Sequence, residues 1–340
     1  MIELVDPLIA GDRRALARLL TAVENERGGI EVALSALYPH TGHAWIIGIT
    51  GAPGTGKSTL VTELAKAYRA QNETVGILAI DPSSPFTGGA LLGDRIRMRE
   101  LSGDKGVFIR SMATRGSLGG LARAARDAIR LLDSAGFDRI LVETVGAGQS
   151  EVDIARAAHT TLVIEAPGLG DDIQAIKAGI LEIADILVVN KADHPGVENT
   201  VRALKAMLEL GHPTSRTQTV SHHRQSATFL SSNGEHQDDS WIPQLIRTVA
   251  TSGECVTDLV GAIEEHRTFL TQNGRKVMLE RQHLHTEVIE RLSEQLLKQV
   301  LAALPVDELN VTLDSLQSRT LDPQTAVKHL LAQHAMHMAK

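Results

Sequence analysis

The segment Gly51-Ala52-Pro53-Gly54-Thr55-Gly56-Lys57-Ser58-Thr59 constrains this chain more than any other. It fits the pattern G-x-x-x-x-G-K-S/T. The apolar run Trp45-Ile46-Ile47-Gly48-Ile49-Thr50 precedes it and reads as a buried strand, and residues 59–69 read as a helix. A strand, a glycine-rich loop and a helix in that order build a phosphate cradle. The glycines let backbone N–H groups converge on phosphate oxygens, and the helix N-terminus adds its positive dipole end. Lys57 is then placed to reach the β- and γ-phosphates, and the Ser58 hydroxyl to ligate Mg2+. The pattern predicts a bound nucleoside triphosphate.

The rest of the chain repeats the alternation that such a loop needs. Further apolar runs fall at 75–80, 107–112, 139–144, 161–166 and 186–190, with amphipathic stretches between them. A shorter run at 248–251 is a seventh candidate strand. Near-continuous apolar character implies burial on both faces, hence an α/β fold around a mainly parallel sheet. Before it, Leu16, Leu19, Leu20 and Val23, then Ile30, Val32, Leu34 and Leu37, keep helical spacing on either side of Gly28-Gly29, which predicts a helical N-terminal extension over 1–42. A nucleotide domain over 43–270 follows. Within it, residues 211–240 are dominated by Ser, Thr, His, Gln and Asn and read as a surface insertion. From 271 to 340 the pattern is helical again, an arm outside the nucleotide domain.

Bulk properties exclude several classes. With 340 residues and 43% hydrophobic content the chain can build a proper core, although two Trp, two Tyr and five Phe leave Leu, Ile, Val and Ala to fill it. A net charge of −7 supplies no basic face for nucleic acid. One cysteine, Cys255, precludes internal disulfides and fits a reducing compartment. No apolar run is long enough to span a membrane, and residues 1–12 lack the features of a targeting peptide. The expectation is a soluble cytoplasmic protein.

Two further motifs specify the nucleotide. Asn190-Lys191-Ala192-Asp193 follows directly on the strand at 186–189, where Asn-Lys-x-Asp reads guanine: the Asp193 carboxylate accepts from the base N1–H and N2–H2 groups, a pair adenine lacks. Glu143-Thr144-Val145-Gly146 ends the strand at 139–144. Many GTPases place Asp-x-x-Gly there, the acid holding Mg2+ through water and the glycine N–H meeting the γ-phosphate. Glu143, one methylene longer, keeps that contact within reach. Asp81, at the end of the run 75–80, is a second acid at the rim where open α/β sheets bind ligands.

Longer stretches then resemble one family. They are Asp81-Pro82-Ser83-Ser84, residues 87–95 (TGGALLGDR), residues 110–116 (RSMATRG), residues 143–151 (ETVGAGQSE) and residues 167–179 (PGLGDDIQAIKAG). Together they resemble the accessory GTPases of adenosylcobalamin-dependent acyl-CoA mutases, the MeaB and ArgK type, once labelled lysine/arginine/ornithine transport-system ATPases. The resemblance runs from about Gly11 to the C-terminus and weakens over 211–240. It implies a homodimer with a helical N-terminal extension, a P-loop GTPase domain and a C-terminal dimerisation arm, which gates delivery of adenosylcobalamin to the mutase and helps eject damaged cofactor. By the same resemblance, residues 51–59 hold GTP or GDP. Ser58, Asp81 and Glu143 form the Mg2+ shell, and Gly146 senses the γ-phosphate. Asn190, Lys191 and Asp193 bind guanine beside the base-edge segment Thr248-Val249-Ala250. Residues 167–177 form a switch whose charged members are Asp171, Asp172 and Lys177.

Two departures from the family pattern stand out: Cys255 occupies the third position of a usual Gly-Glu-Gly, and the polar stretch before Trp241 is unusual in length and composition. Hydrolysis depends on positioning and charge neutralisation, for which Lys57, Mg2+ and the loop amides suffice in kind. No water-orienting residue is evident, since Gln149 lies three positions past Gly146. Such a site predicts slow turnover alone, accelerated when a partner orders the switches. Rival readings are a metal-insertion GTPase and a transport or signalling kinase. The first lacks Cys-x-x-Cys, and its candidate imidazoles are His222, His223 and His236, with His334 and His337 three positions apart near a polar terminus. The second is opposed by the guanine motif.

Overall fold

The computed structural model describes residues 1–81, 99–101, 103–113, 120–144, 154–168, 183–210 and 241–338. Its apolar runs are strands because nearly every residue in them is covered. β1 (Trp45–Thr50), β4 (Arg139–Thr144), β5 (Thr160–Glu165) and β6 (Ile186–Val189) are buried almost throughout. With β2 (Val75–Asp81), β3 (Val107–Ala113) and β7 (Gln244–Arg247), they form one sheet in the order β3-β2-β4-β1-β5-β6-β7. Every pairing is parallel. All strands therefore end on one edge, and β1 sits between β4 and β5, where the winding of the sheet reverses.

The N-terminal helices are α1 (Val5–Ile9), α2 (Arg13–Glu24) and α3 (Ile30–Leu37). They are followed by α4 (Lys57–Ala70) after β1 and α5 (Gly120–Ser134) before β4. α6 (Val197–Leu210) follows β6, and α7 (Val256–Thr271) follows β7. Asp12 caps α2, its carboxylate accepting from the Arg14 N–H at 2.7 Å. Leu16, Leu19, Leu20 and Val23 of α2 join Ala125, Ala128, Ile129 and Leu132 of α5 in one core cluster. Arg13 donates to the Val107 carbonyl at 2.9 Å, occupying a backbone group of the β3 edge. Val32 departs from its expected role, because it lies on the outer face of α3 and is 59% exposed.

Two further differences concern the sheet. It is wholly parallel among the described residues. The seventh strand is residues 244–247, not 248–251. β7 is half-exposed along its length, so it carries no continuous apolar signal, whereas Thr248, Val249 and Ala250 are buried because they turn inward toward the site. The stretch 211–240 lies outside the described residues.

The chain divides into two compact units, Met1–Lys276 and Val277–Lys340. Helices α8 (Arg275–Ala303), α9 (Val306–Gln317) and α10 (Pro323–Met338) supply the second. Burial on α8 is inverted: its one buried residue is Glu287, while Val288, Leu292, Leu296 and Leu297 are exposed. No helix among the described residues is long and apolar enough to cross a membrane.

Arg139, at the start of β4, is a buried cation in the first unit. Its Nη2 donates to Glu73 at 2.8 Å and lies 2.9 Å from Glu264, and its guanidinium stands 4.8 Å from the centre of the Tyr68 ring. This ties the last turns of α4 to α7. Removing it strands Glu73 and leaves Glu264 with Arg267 alone, whereas Arg247, which pairs with Glu198 at the surface, is screened by water. Urea unfolding is expected to show a loss of about 3 kcal/mol for Arg139→Ala and below about 1 kcal/mol for Arg247→Ala.

Candidate functional site

The glycine-rich loop leaves β1 through a backbone that only glycine tolerates. Gly51 has φ +138°, and a Cβ placed on it would lie 2.1 Å from the Ile164 carbonyl oxygen of β5. Gly56, at φ +92°, would bring a Cβ to 2.4 Å from Asn190 Nδ2. Thr55 closes the loop by donating its hydroxyl to the Ala52 carbonyl at 2.9 Å. α4 begins at Lys57, after Gly56, and among the described residues no side chain caps it. Its first-turn amides therefore face the loop without a competing acceptor, the arrangement that suits phosphate. Lys57 is 6% exposed; its ammonium donates to the carbonyls of Gly51 at 2.7 Å and Ala52 at 3.0 Å.

Ser58 and Glu143 meet beneath this loop. The Ser58 hydroxyl donates to Glu143 Oε1 at 2.7 Å, and both residues are buried. Register explains the meeting, because Glu143 lies beside Ile49 of β1 and Ala79 of β2. The neighbouring Thr144 and Thr50 hydroxyls are 3.2 Å apart and fully buried. The backbone of Asp81 ends β2 one position past Ile80, which pairs with Thr144, so Asp81 stands on the same edge. A hydroxyl and a carboxylate held together, with no sulfur or imidazole donor between them, fit a hard cation such as Mg2+.

The base side of the site is tied to the phosphate side by Asn190. Its Nδ2 donates to the Thr55 carbonyl at 2.8 Å, while its Oδ1 accepts from the Ala250 N–H at 3.1 Å and the Thr248 hydroxyl at 3.2 Å. Lys191, at φ +56°, donates its ammonium to the Gly54 carbonyl at 2.8 Å. The Ala192 N–H donates to the Thr248 carbonyl at 3.0 Å. Asn190 and Lys191 thus brace the loops, and Asp193 is the exposed carboxylate of the motif. Sequence reading assigned Asn190 and Lys191 to guanine and did not see this bracing.

Gly146, Gln149, Asp171, Asp172 and Lys177 lie outside the described residues, as does the side chain of Asp81. Cys255 does adopt the left-handed conformation that its position demands, at φ +57°. The turn into α7 closes around it, Val249 N–H donating to the Glu254 carbonyl at 3.2 Å.

A parallel sheet with this loop at the end of β1, a Ser–Glu pair beneath it and Asn-Lys-x-Asp after β6 defines a P-loop GTPase. Residues 16–304 match the family described as Methylmalonyl Co-A mutase-associated GTPase MeaB, and the chain belongs to that family. A candidate GTPase of Pyrococcus horikoshii is 46% identical over 329 residues, 97% of this chain and 96% of its own. The GTPase ArgK of Escherichia coli is 31% identical over 335 residues, 97% of this chain and 95% of its own. A mitochondrial Mus musculus protein named methylmalonic aciduria type A homolog is 36% identical over 230 residues, covering 67% of this chain and 50% of its own. Among solved structures, a LAO/AO transport system kinase superposes with a TM-score of 0.67 at 25% identity, covering 97% of this chain and 96% of its own.

The two special backbone positions give opposite expectations. Gly56→Ala pushes a methyl group into the pinned Asn190 carboxamide, so calorimetric titration with GDP is expected to show at least about tenfold weaker binding, since 1.4 kcal/mol is one decade. Cys255→Gly relieves a left-handed L-residue, partly offset by the freer unfolded chain, and is expected to raise stability by roughly 0.5–1 kcal/mol in urea.

Proposed function

We propose that the chain hydrolyses GTP to GDP and phosphate as a chaperone of an adenosylcobalamin-dependent acyl-CoA mutase, gating cofactor loading and protecting or reactivating the enzyme. The observation that supports the guanine assignment is the Asn190 brace, which locks the phosphate loop to the base-edge segment; a base held beside that segment would then meet Asp193. The client follows from membership of a mutase-associated family. The murine relative's name, which refers to methylmalonic aciduria, agrees with it.

In this reading Lys57 leaves the Gly51 and Ala52 carbonyls for the β- and γ-phosphates, and the amides of residues 54–59 enclose the phosphate oxygens. Ser58, with Asp81 and Glu143, would hold Mg2+, which when bound would neutralise charge on the β- and γ-phosphates. Gly146 meets the γ-phosphate, and Lys177 belongs to the loop that carries nucleotide state to the mutase. Guanine lies between Asp193 and the segment Thr248-Val249-Ala250. Because no described residue orients the attacking water, turnover is slow alone and rises when the mutase orders the remaining loops. The arm over 271–340 pairs two copies through the exposed Leu292, Leu296 and Leu297, in a cytoplasmic homodimer that requires neither nucleic acid nor a membrane.

The test is phosphate release by purified protein with GTP, with ATP as control, alone and with the host's adenosylcobalamin-dependent acyl-CoA mutases. GTP-selective turnover that rises with one mutase, and falls at least about 100-fold in Lys57→Ala, is the expected result. Turnover indifferent to every such mutase overturns the client. Turnover equal on ATP overturns the guanine assignment.

A further inference from the structure

At the end of the sheet opposite the nucleotide loops, four side chains from separate segments form one series, in which Trp45, Thr160 and His266 are buried and Asp185 is 30% exposed. The Trp45 indole N–H, a donor only, lies 3.0 Å from the Thr160 hydroxyl oxygen, which lies 3.0 Å from His266 Nδ1. His266 Nε2 is 3.5 Å from Asp185 Oδ1, and Asp185 Oδ2 accepts from the Thr161 N–H at 2.7 Å. Trp241 closes the far side, donating its indole N–H to the Asp185 carbonyl at 2.8 Å with its ring 4.7 Å from His266. A hydroxyl, an imidazole and a carboxylate in that order also make up nucleophile relays. Thr160 and His266 are buried at 0% and 2% exposure, so no substrate reaches the hydroxyl.

The series has two consistent proton placements. With Asp185 ionised, His266 donates from Nε2 to the carboxylate, and Thr160, already accepting from Trp45, donates to Nδ1. With Asp185 protonated, its hydroxyl donates to Nε2 and His266 donates from Nδ1 to Thr160. One added proton therefore reverses every bond between Asp185 and Thr160. We propose that Trp45, Thr160, His266 and Asp185 form a proton-responsive latch that fastens α7 to the starts of β1, β5 and β6. Since α7 begins just after Cys255, beside the base-edge loop, the latch lies toward the far end of the helix that follows that loop.

The charged surroundings do not fix the proton elsewhere. From the β5 side His159 faces the cluster, its Nδ1 accepting from the Ile46 N–H at 3.1 Å. On α7, Arg267 lies over the Trp45 ring and is paired with Glu264, and Glu265 accepts from Gln244, the residue that opens β7. From the start of α8, Lys276 lies over Trp45 and Arg275 over Phe269. β6 contributes no ionisable group, and Asp185 immediately precedes it. Burial pushes Asp185 up to about 7, opposed by the Thr161 N–H bond. Burial, then the charge of His159, pushes His266 down to about 4.

These shifts act with opposite sign. The folded chain keeps Asp185 protonated where the unfolded chain has lost that proton, so this group stabilises at low pH and its contribution disappears as pH rises through about 7. His266 stays neutral where the unfolded chain takes up a proton, so its contribution is present above about 6.5 and is lost as pH falls toward about 4. The test is the pH profile of melting temperature for the full chain, Asp185→Asn and His266→Gln, read with intrinsic fluorescence. The chain's two tryptophans, Trp45 and Trp241, both touch the series. Relative to the unmodified chain, Asp185→Asn is expected to gain melting temperature steadily from pH 4 to pH 7. His266→Gln is expected to lose it from pH 4 to pH 6.5, each by several degrees. Fluorescence of the unmodified chain is expected to titrate near neutrality, and that titration to vanish in Asp185→Asn. Should His266→Gln fail to fold, the fluorescence arm still decides. Difference profiles that are flat, or the same neutral titration in Asp185→Asn, overturn the latch.

Discussion

The site depends on the three hydrogen bonds of one carboxamide. Asn190 is 2% exposed, and its donor and acceptor face different loops: Thr55 on the phosphate side, Thr248 and Ala250 on the base side. Each bond is worth about 1 kcal/mol net in an accessible setting, but leaving a buried partner unsatisfied costs about 1–3 kcal/mol. The loops therefore keep their spacing as a set. Gly56 has to be glycine because the carboxamide stands where its Cβ would be, and the uncapped start of α4 follows directly from that residue. The parallel sheet makes this possible, since it delivers the ends of β1, β4 and β6 to one edge.

Much of this was legible in the sequence because burial on both faces leaves a plain signal. The runs that became β1 and β6 are apolar at almost every position, β4 and β5 carry an apolar centre between polar ends, and the loop between β1 and α4 declares its own geometry through glycine. β7 was misplaced by four residues for a physical reason: an edge strand half-exposed to solvent is not continuously apolar, while the buried segment after it belongs to the base loop. The Asn190 brace was hidden for another reason. A motif tells which residue types gather, but not which of them touch the ligand and which hold their neighbours. The series from Trp45 to Asp185 leaves no sequence pattern at all, because its members come from four segments that only the fold brings together.

The second unit shows the limit of hydropathy from the other direction. Leu292, Leu296 and Leu297 of α8 are exposed, while Glu287 is buried beside Arg291, which donates to it at 2.8 Å. Such a face costs roughly 25 cal/mol per Å2 of apolar surface left in water, a cost that the proposed pairing of two copies would offset. Cys255 carries a smaller cost of the same kind: the backbone conformation that glycine adopts freely is imposed on a thiol-bearing residue, and the turn keeps its bonds nonetheless.

The central claim is that Asp193 reads guanine in a site whose geometry Asn190 fixes. Its most direct test is equilibrium binding of GDP, XDP and ADP to the unmodified chain and to Asp193→Asn. A carboxylate accepts from the N1–H and N2–H2 groups of guanine, whereas an amide offers a donor to the O2 of xanthine. The unmodified chain is expected to prefer GDP strongly and the variant to reverse toward XDP, with ADP weak in both. GDP affinity unchanged by the substitution, or ADP binding as tightly as GDP, would contradict it.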